Sequence, residues 1–225
     1  MNNAIVHVVI CLCLILAACG QEEPPGAPPE IQFTGTIVAM GDSLTEGLGV
    51  PEEKTYPALL QKALRDKGYD YRVVNAGISG ETSSGARSRM GWVLRMKPDI
   101  IILATGANDG LRGLDPELLR SNIQDMIDAF TAEGIVVVLA GMKIVPNLGP
   151  AYSKMFADVY TDTGGDNDVI LIPFFLEGVA GVPKMNQPDG IHPSADGYVR
   201  VVEHILPYVT EAIARHRNQS RSPSG

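Results

Sequence analysis

Five short, mostly apolar runs rich in β-branched residues recur along the chain, at 36–40 (TIVAM), 71–75 (YRVVN), 100–105 (IIILAT), 135–140 (IVVVLA) and 169–173 (VILIP). Segments of helical period separate them: 56–67, closed by Gly68; 83–96, stopped by Pro98; 116–132, closed by Gly134; 151–161; and a last one from Ser194 to about His216, after Pro193. In the third of these, Leu118, Leu119, Ile123, Met126, Ile127 and Phe130 fall on one stripe of a helix. Apolar runs of this kind suit strands covered on both faces, as in a parallel sheet between two helical layers. Strand and helix alternating five times therefore predict an α/β fold with a doubly wound, five-stranded parallel sheet and right-handed crossovers. Such sheets bind ligands beyond the carboxyl ends of their strands. Chemistry is accordingly expected in GDS, GISGE, GANDG and GMKIVP, which follow the first four runs, and in PDGIHPS, which follows the fifth after a longer connection.

The two ends of the chain read differently from its middle. Residues 1–19 contain no Lys, Arg, Asp or Glu, and the apolar stretch from Ala4 to Ala18 is shorter than the about 20 residues of a membrane span. It reads as an export leader. Its end, Leu16-Ala17-Ala18-Cys19, resembles the bacterial lipobox, which implies a lipoprotein signal peptide over 1–18, acylation of Cys19, a membrane as partner and a place in the bacterial cell envelope. The alternative is an ordinary signal peptide followed by an unmodified Cys, and the positive segment that usually opens either kind is absent. Residues 19–33 are polar and Pro-rich, a tether rather than a core. The folded domain is expected over 34–216, and the polar 217–225 as a disordered tail. All three Cys lie within residues 1–19, so the domain is expected to have neither a disulfide nor a Cys metal site. A formal charge of -8 with no basic cluster excludes a nucleic-acid footprint.

Within the loops, Ser43 stands directly after the first strand. Taken alone it is either the cap of the next helix or a nucleophile, and the Gly-x-Ser-x-Gly elbow of common hydrolases is missing around it. A serine hydroxyl needs a base, and of the four His only His192 lies in a strand-end loop; His7 is in the leader, His204 in the last helix and His216 near the frayed end. Asp189, three residues earlier in a turn set by Pro188, Gly190 and Pro193, can orient that imidazole, or can simply accept backbone N–H groups. Acyl attack also needs donors for the oxyanion. Gly80 offers an unshielded backbone N–H and Asn108 a side-chain amide, although each is also an ordinary turn residue. Asp42 beside Ser43 reads as a support of the turn. The acidic stretch DTGGDND at 162–168 lacks the ligand spacing of a calcium loop and reads as solvated loop. No phosphate loop or dinucleotide fingerprint occurs.

The four blocks GDSLTEG, NAGISGET, GANDG and DGIHPSADGY, in this order, resemble the SGNH or GDSL hydrolases, over about residues 36–208. That resemblance implies a flavodoxin-like three-layer sandwich and hydrolysis of carboxylic esters or thioesters through an acyl-serine. It implies Ser43 as nucleophile, His192 as base and Asp189 as orienter, with an oxyanion hole from the Ser43 and Gly80 N–H groups and the Asn108 amide, and no metal or organic cofactor. The branch most similar includes multifunctional acyl-CoA thioesterase/lysophospholipases and arylesterases. Leu111, Leu114, Ile144, Val145, Pro146 and Leu148 are candidates for an apolar acyl slot, or for plain loop packing. The segment NDGLRG is glycine-rich enough to move on binding. A carbohydrate O-deacetylase of the same family and a non-catalytic envelope lipoprotein are the competing functions; one Trp and 6% aromatics argue against a sugar-stacking platform.

Overall fold

The protein is represented by a computed structural model that describes residues 32–144 and 146–221. Cys19, the leader and most of the tether, together with Val145, lie outside the described residues. Five strands form as the apolar runs require: β1 (Gly35–Gly41), β2 (Tyr71–Gly77), β3 (Ile100–Ala104), β4 (Val136–Ala140) and β5 (Ile170–Ile172). All pair in parallel in the order β2-β1-β3-β4-β5. Every residue of β3 and β4 is buried, because helices cover both faces of the sheet centre. This is the flavodoxin-like order, whose reversal point lies between β1 and β3. Ser43 follows one of those strands and Asn108 the other, so topology alone places them on either side of the crevice where such sheets take ligands.

Eight helices are described: α1 (Ser43–Glu46), α2 (Tyr56–Asp66), α3 (Ser83–Ser88), α4 (Met90–Leu94), α5 (Ala107–Leu111), α6 (Pro116–Ala132), α7 (Pro150–Asp166) and α8 (Ala195–Arg221). In one layer α2 packs on α8 and on β2, and α8 also covers β3, β4 and β5. In the other, α6 lies between α3 and α7 against β4. The stripe in α6 is buried at Leu119, Ile123, Met126, Ile127 and Phe130, whereas Leu118, on its margin, is exposed.

Three expectations are corrected. The single helix over 83–96 is two, α3 and α4, because the chain turns at Arg89 (φ -101, ψ 6) and directs that side chain under the sheet end. The fourth helix does not stop at 161: its buried stripe, Phe156, Val159 and Tyr160, continues one turn on at Thr163, so Asp162 to Asp166 are helical rather than loop. Asn167 closes the helix by donating to the Thr163 carbonyl and exchanging two hydrogen bonds with Gln124. The last helix runs to Arg221, so residues 217–221 are helical where a disordered tail was expected. His216 is likewise held, its Nδ1 2.8 Å from the Tyr71 hydroxyl and its Nε2 3.3 Å from Asp99.

Candidate active site

The turn after β1 settles what Ser43 is free to do. The cap of α1 is Asp42, whose carboxylate accepts the Leu44 N–H at 3.0 Å. Ser43 Oγ is therefore not spent on the helix end. Tyr198 of α8 donates to the Leu44 carbonyl at 3.0 Å, and buried Thr45 lies 3.3 Å from the Tyr56 hydroxyl, so two helices of one layer fix the turn.

From the far side of the sheet's end comes the loop that carries Asp189 and His192. Gln187 donates from its amide to the Leu48 carbonyl at 2.7 Å and to the Pro193 carbonyl at 3.0 Å, tying this loop to the segment just after α1. His192 Nε2 then stands 2.9 Å from Ser43 Oγ, and His192 Nδ1 2.7 Å from Asp189 Oδ2. The other carboxylate oxygen accepts the N–H groups of Ile191 and His192. A carboxylate only accepts, so the ring proton belongs on Nδ1 and the lone pair of Nε2 faces the serine hydroxyl. The imidazole contact, with those two N–H groups, holds the Asp189 carboxyl down at about 2, so it is ionised at neutral pH.

Two backbone N–H groups beside Ser43 are unspent among the described residues: its own, at the first position of α1, and that of Gly80. Gly80 has φ +75, a conformation that side chains rarely adopt, and its N–H is presented with no Cβ beside it. Its carbonyl is held by Arg112 at 2.7 Å, and the preceding Ser79 gives both its N–H and its hydroxyl to Glu46. The Asn108 amide stands 3.2 Å from Asp42 Oδ2 and 3.1 Å from the Glu81 carbonyl. Burial pushes the Asp42 carboxyl up to about 6, against the opposing pull of the Leu44 N–H and the Asn108 amide. Asp109, the next residue, is buried and accepts both the N–H and the hydroxyl of Ser83, at 2.8 and 2.5 Å, while Asn122 of α6 donates to that same hydroxyl.

A serine hydroxyl, an imidazole and a carboxylate joined in one hydrogen-bonded chain are a constellation suited to acyl transfer. Residues 39–200 match the model of the GDSL-like Lipase/Acylhydrolase family. The chain belongs to that family. It is 44% identical to "Esterase TesA" of Pseudomonas aeruginosa over 173 residues, 76% of this chain and 86% of that protein. It is 36% identical to "Arylesterase" of Vibrio mimicus (82% and 91% covered) and 33% identical to "Thioesterase 1/protease 1/lysophospholipase L1" of Escherichia coli K12 (72% and 76%). Among solved structures, "Crystal Structure of TesA" superposes with a TM-score of 0.76 at 43% identity, covering 79% of this chain and 99% of that one. As a GDSL hydrolase the chain is a carboxylic ester hydrolase, and its sandwich is the SGNH-hydrolase fold.

Around this GDSL site the candidate slot residues divide. Leu111 and Leu148 are exposed large apolar side chains, and Leu114 and Ile144 are half-buried. Ile144 seats on Gly110 and Leu148 lies against Gly113, so the loop after β4 runs along the loop after β3. Pro146 begins a short 3-10 turn, Pro146–Leu148. The segment NDGLRG, expected to move, is largely the helix α5. Sequence reasoning missed Glu46, Glu81, Arg89, Asp109, Arg112 and Gln187. For Asp109 a signal existed, since a carboxylate between the apolar end of β3 and an apolar helix must be buried and paired. The others act across gaps of 6 to 139 residues, which no spacing rule connects.

Proposed function

We propose that Ser43 Oγ attacks the acyl carbonyl of an ester or thioester while His192 Nε2 takes its proton. The N–H groups of Ser43 and Gly80, with the Asn108 amide, receive the oxyanion; the imidazolium then protonates the leaving alcohol or thiol, and an acyl-Ser43 remains. Water, deprotonated by the same Nε2, adds to the acyl carbonyl, and collapse returns the proton to Ser43 and frees the acid. The observation that carries this reading is the continuous relay from Asp189 through His192 to Ser43, with contacts of 2.7 and 2.9 Å. Asn108 reaches an oxyanion by releasing its longer bond, the one to Asp42, and a negative oxygen forming beside Ser43 competes for that hydrogen.

Aryl esters, acyl-CoA thioesters and lysophospholipids are the proposed substrates, in line with the printed names of the relatives. The acyl chain lies along Leu111, Leu114, Ile144, Val145, Pro146 and Leu148, of which Leu111 and Leu148 are exposed large apolar side chains. The protein is exported and held at a membrane through lipid on Cys19. A panel of aryl esters, acyl-CoA, lysophospholipids and acetylated sugars tests the reading against a folded Ser43→Ala variant. Turnover of the first three by the wild type and none by the variant is expected; an active Ser43→Ala protein removes the assignment, and a preference for acetylated sugars replaces the substrate class. Cys19→Ser is expected to move the protein from the membrane fraction to the soluble one.

A further inference from the structure

We infer that the largely buried ion pair of the Glu81 and Arg89 side chains is the positioning device of the oxyanion site, an inference that rests on the roles proposed for Ser43, Gly80 and Asn108. Arg89 sits at the break between α3 and α4 and meets the Glu81 carboxylate in a fork, Nε to Oε1 and Nη2 to Oε2, both at 2.6 Å. The two side chains are only 12% and 8% exposed. The two hydrogens of the same Nη2 are shared among that carboxylate, the Ala76 carbonyl at 2.9 Å and the Gly41 carbonyl at 3.2 Å, so one guanidinium spans the ends of β2 and β1. Gly41 is two residues before Ser43. Glu81 is the residue after Gly80, and its carbonyl accepts the Asn108 amide at 3.1 Å. The three oxyanion donors come from three separate strand ends, and Glu81–Arg89 is joined to all three: through Gly41 to Ser43, through the backbone to Gly80, and through the Glu81 carbonyl to Asn108.

Stability alone gives little reason for such a pair. Replacing a buried ion pair with apolar residues of similar volume is often neutral or stabilising, because desolvating two charges offsets their attraction. Rigid, forked geometry at the point where three loops must agree is what an arginine–carboxylate pair supplies and an apolar contact does not. Neither side chain hydrogen-bonds to Ser43, Asp189 or His192, so the role is positioning rather than catalysis.

The test compares wild type, Glu81→Leu/Arg89→Met, Arg89→Lys and Ser43→Ala on p-nitrophenyl butyrate, with kcat and KM separated, and measures phosphonylation of Ser43 by a fluorophosphonate. For the double variant kcat is expected to fall about 100- to 1000-fold, the order of losing one aligned donor. KM should stay within about threefold, because a ground-state ester makes little use of those donors. Phosphonylation, whose transition state needs the same donors, should slow in parallel, while the thermal midpoint moves by no more than a few degrees. Arg89→Lys keeps the charge but loses the fork, and recovers part of the rate, to about tenfold below wild type. A folded double variant with wild-type kcat, or a change confined to KM, overturns the inference. If the double variant fails to fold, Arg89→Lys decides: unaltered kcat and phosphonylation overturn it. Activity in Ser43→Ala would instead remove the reading beneath it, whereas an inactive Ser43→Ala beside fully active Arg89 variants removes the inference alone.

Discussion

Gly77 lies at the end of β2, where the backbone of α1 passes directly over it. A Cβ at this position would stand 2.6 Å from Glu46 Cα and 2.7 Å from the Thr45 carbonyl carbon, and closer still to Glu46 N. Ordinary contact begins at 3.4 Å, so the four-residue helix carrying Ser43 must move by at least about 0.8 Å, and backbone cannot rotate out of the way as a side chain can. A shift of that size directed away from His192 would stretch the 2.9 Å contact from Ser43 Oγ to His192 Nε2 to as much as about 3.7 Å, beyond a hydrogen bond. Misplacement by about 1 Å of a reacting group costs on the order of a hundredfold in rate, and overpacking costs about 1–3 kcal/mol of stability. Gly77→Ala is therefore expected to keep its fold, melt several degrees lower and lose about two decades in kcat on an aryl ester. Circular dichroism on heating, steady-state kinetics and the rate of phosphonate labelling at Ser43 measure all three. A folded Gly77→Ala protein with kcat within about threefold of wild type would refute the claim that this close approach sets the nucleophile.

Three further outcomes follow from the same geometry. Asp189→Asn leaves His192 without a partner that forces the proton onto Nδ1; the loss in a buried triad is about 10⁴, and the 45% exposure of this carboxylate lets water replace part of it, so about 10²–10³ in kcat is expected in stopped-flow or steady-state assays. Asp42 binds its proton more tightly folded than unfolded, so its contribution makes stability fall as pH rises from 3.8 toward about 6 and level off above, while Asp189, held down at about 2, makes stability rise with pH only below 3.8. Carbon-13 carboxyl shifts should show the Asp42 midpoint near 6, and a midpoint near 4 would contradict its burial against Asn108. His216→Ala removes the contacts to Tyr71 and Asp99 at the far edge of the sheet, and should cost about 1–2 kcal/mol in urea denaturation with kcat unchanged.

Periodicity and loop chemistry made much of this protein legible in one dimension. Apolar runs of strand length fixed the number of strands, and helical stripes such as Leu119, Ile123, Met126, Ile127 and Phe130 fixed what covers them. Those signals are local, because burial of one face imposes its own repeat on the residues that provide it. The same reasoning singled out Ser43, Gly80, Asn108, Asp189 and His192 as candidates, since strand-end loops are few and four of the five carry a residue of the right chemistry. It failed where neighbours in space are strangers in sequence. The break at Arg89, the helical run through Asp162 to Asp166 and the docking of His216 each depend on partners 13 to 145 residues away. Whether Ser43 caps its own helix also waited on the fold, because it is Asp42 that takes the capping bond and leaves the Ser43 hydroxyl clear of the helix end. Side-chain type decides what a residue can do, and the sequence lists it. Which group it meets is decided only when strands from distant segments lie side by side, because hydrogen bonds and ion pairs act over about 3 Å and carry no trace in residue order.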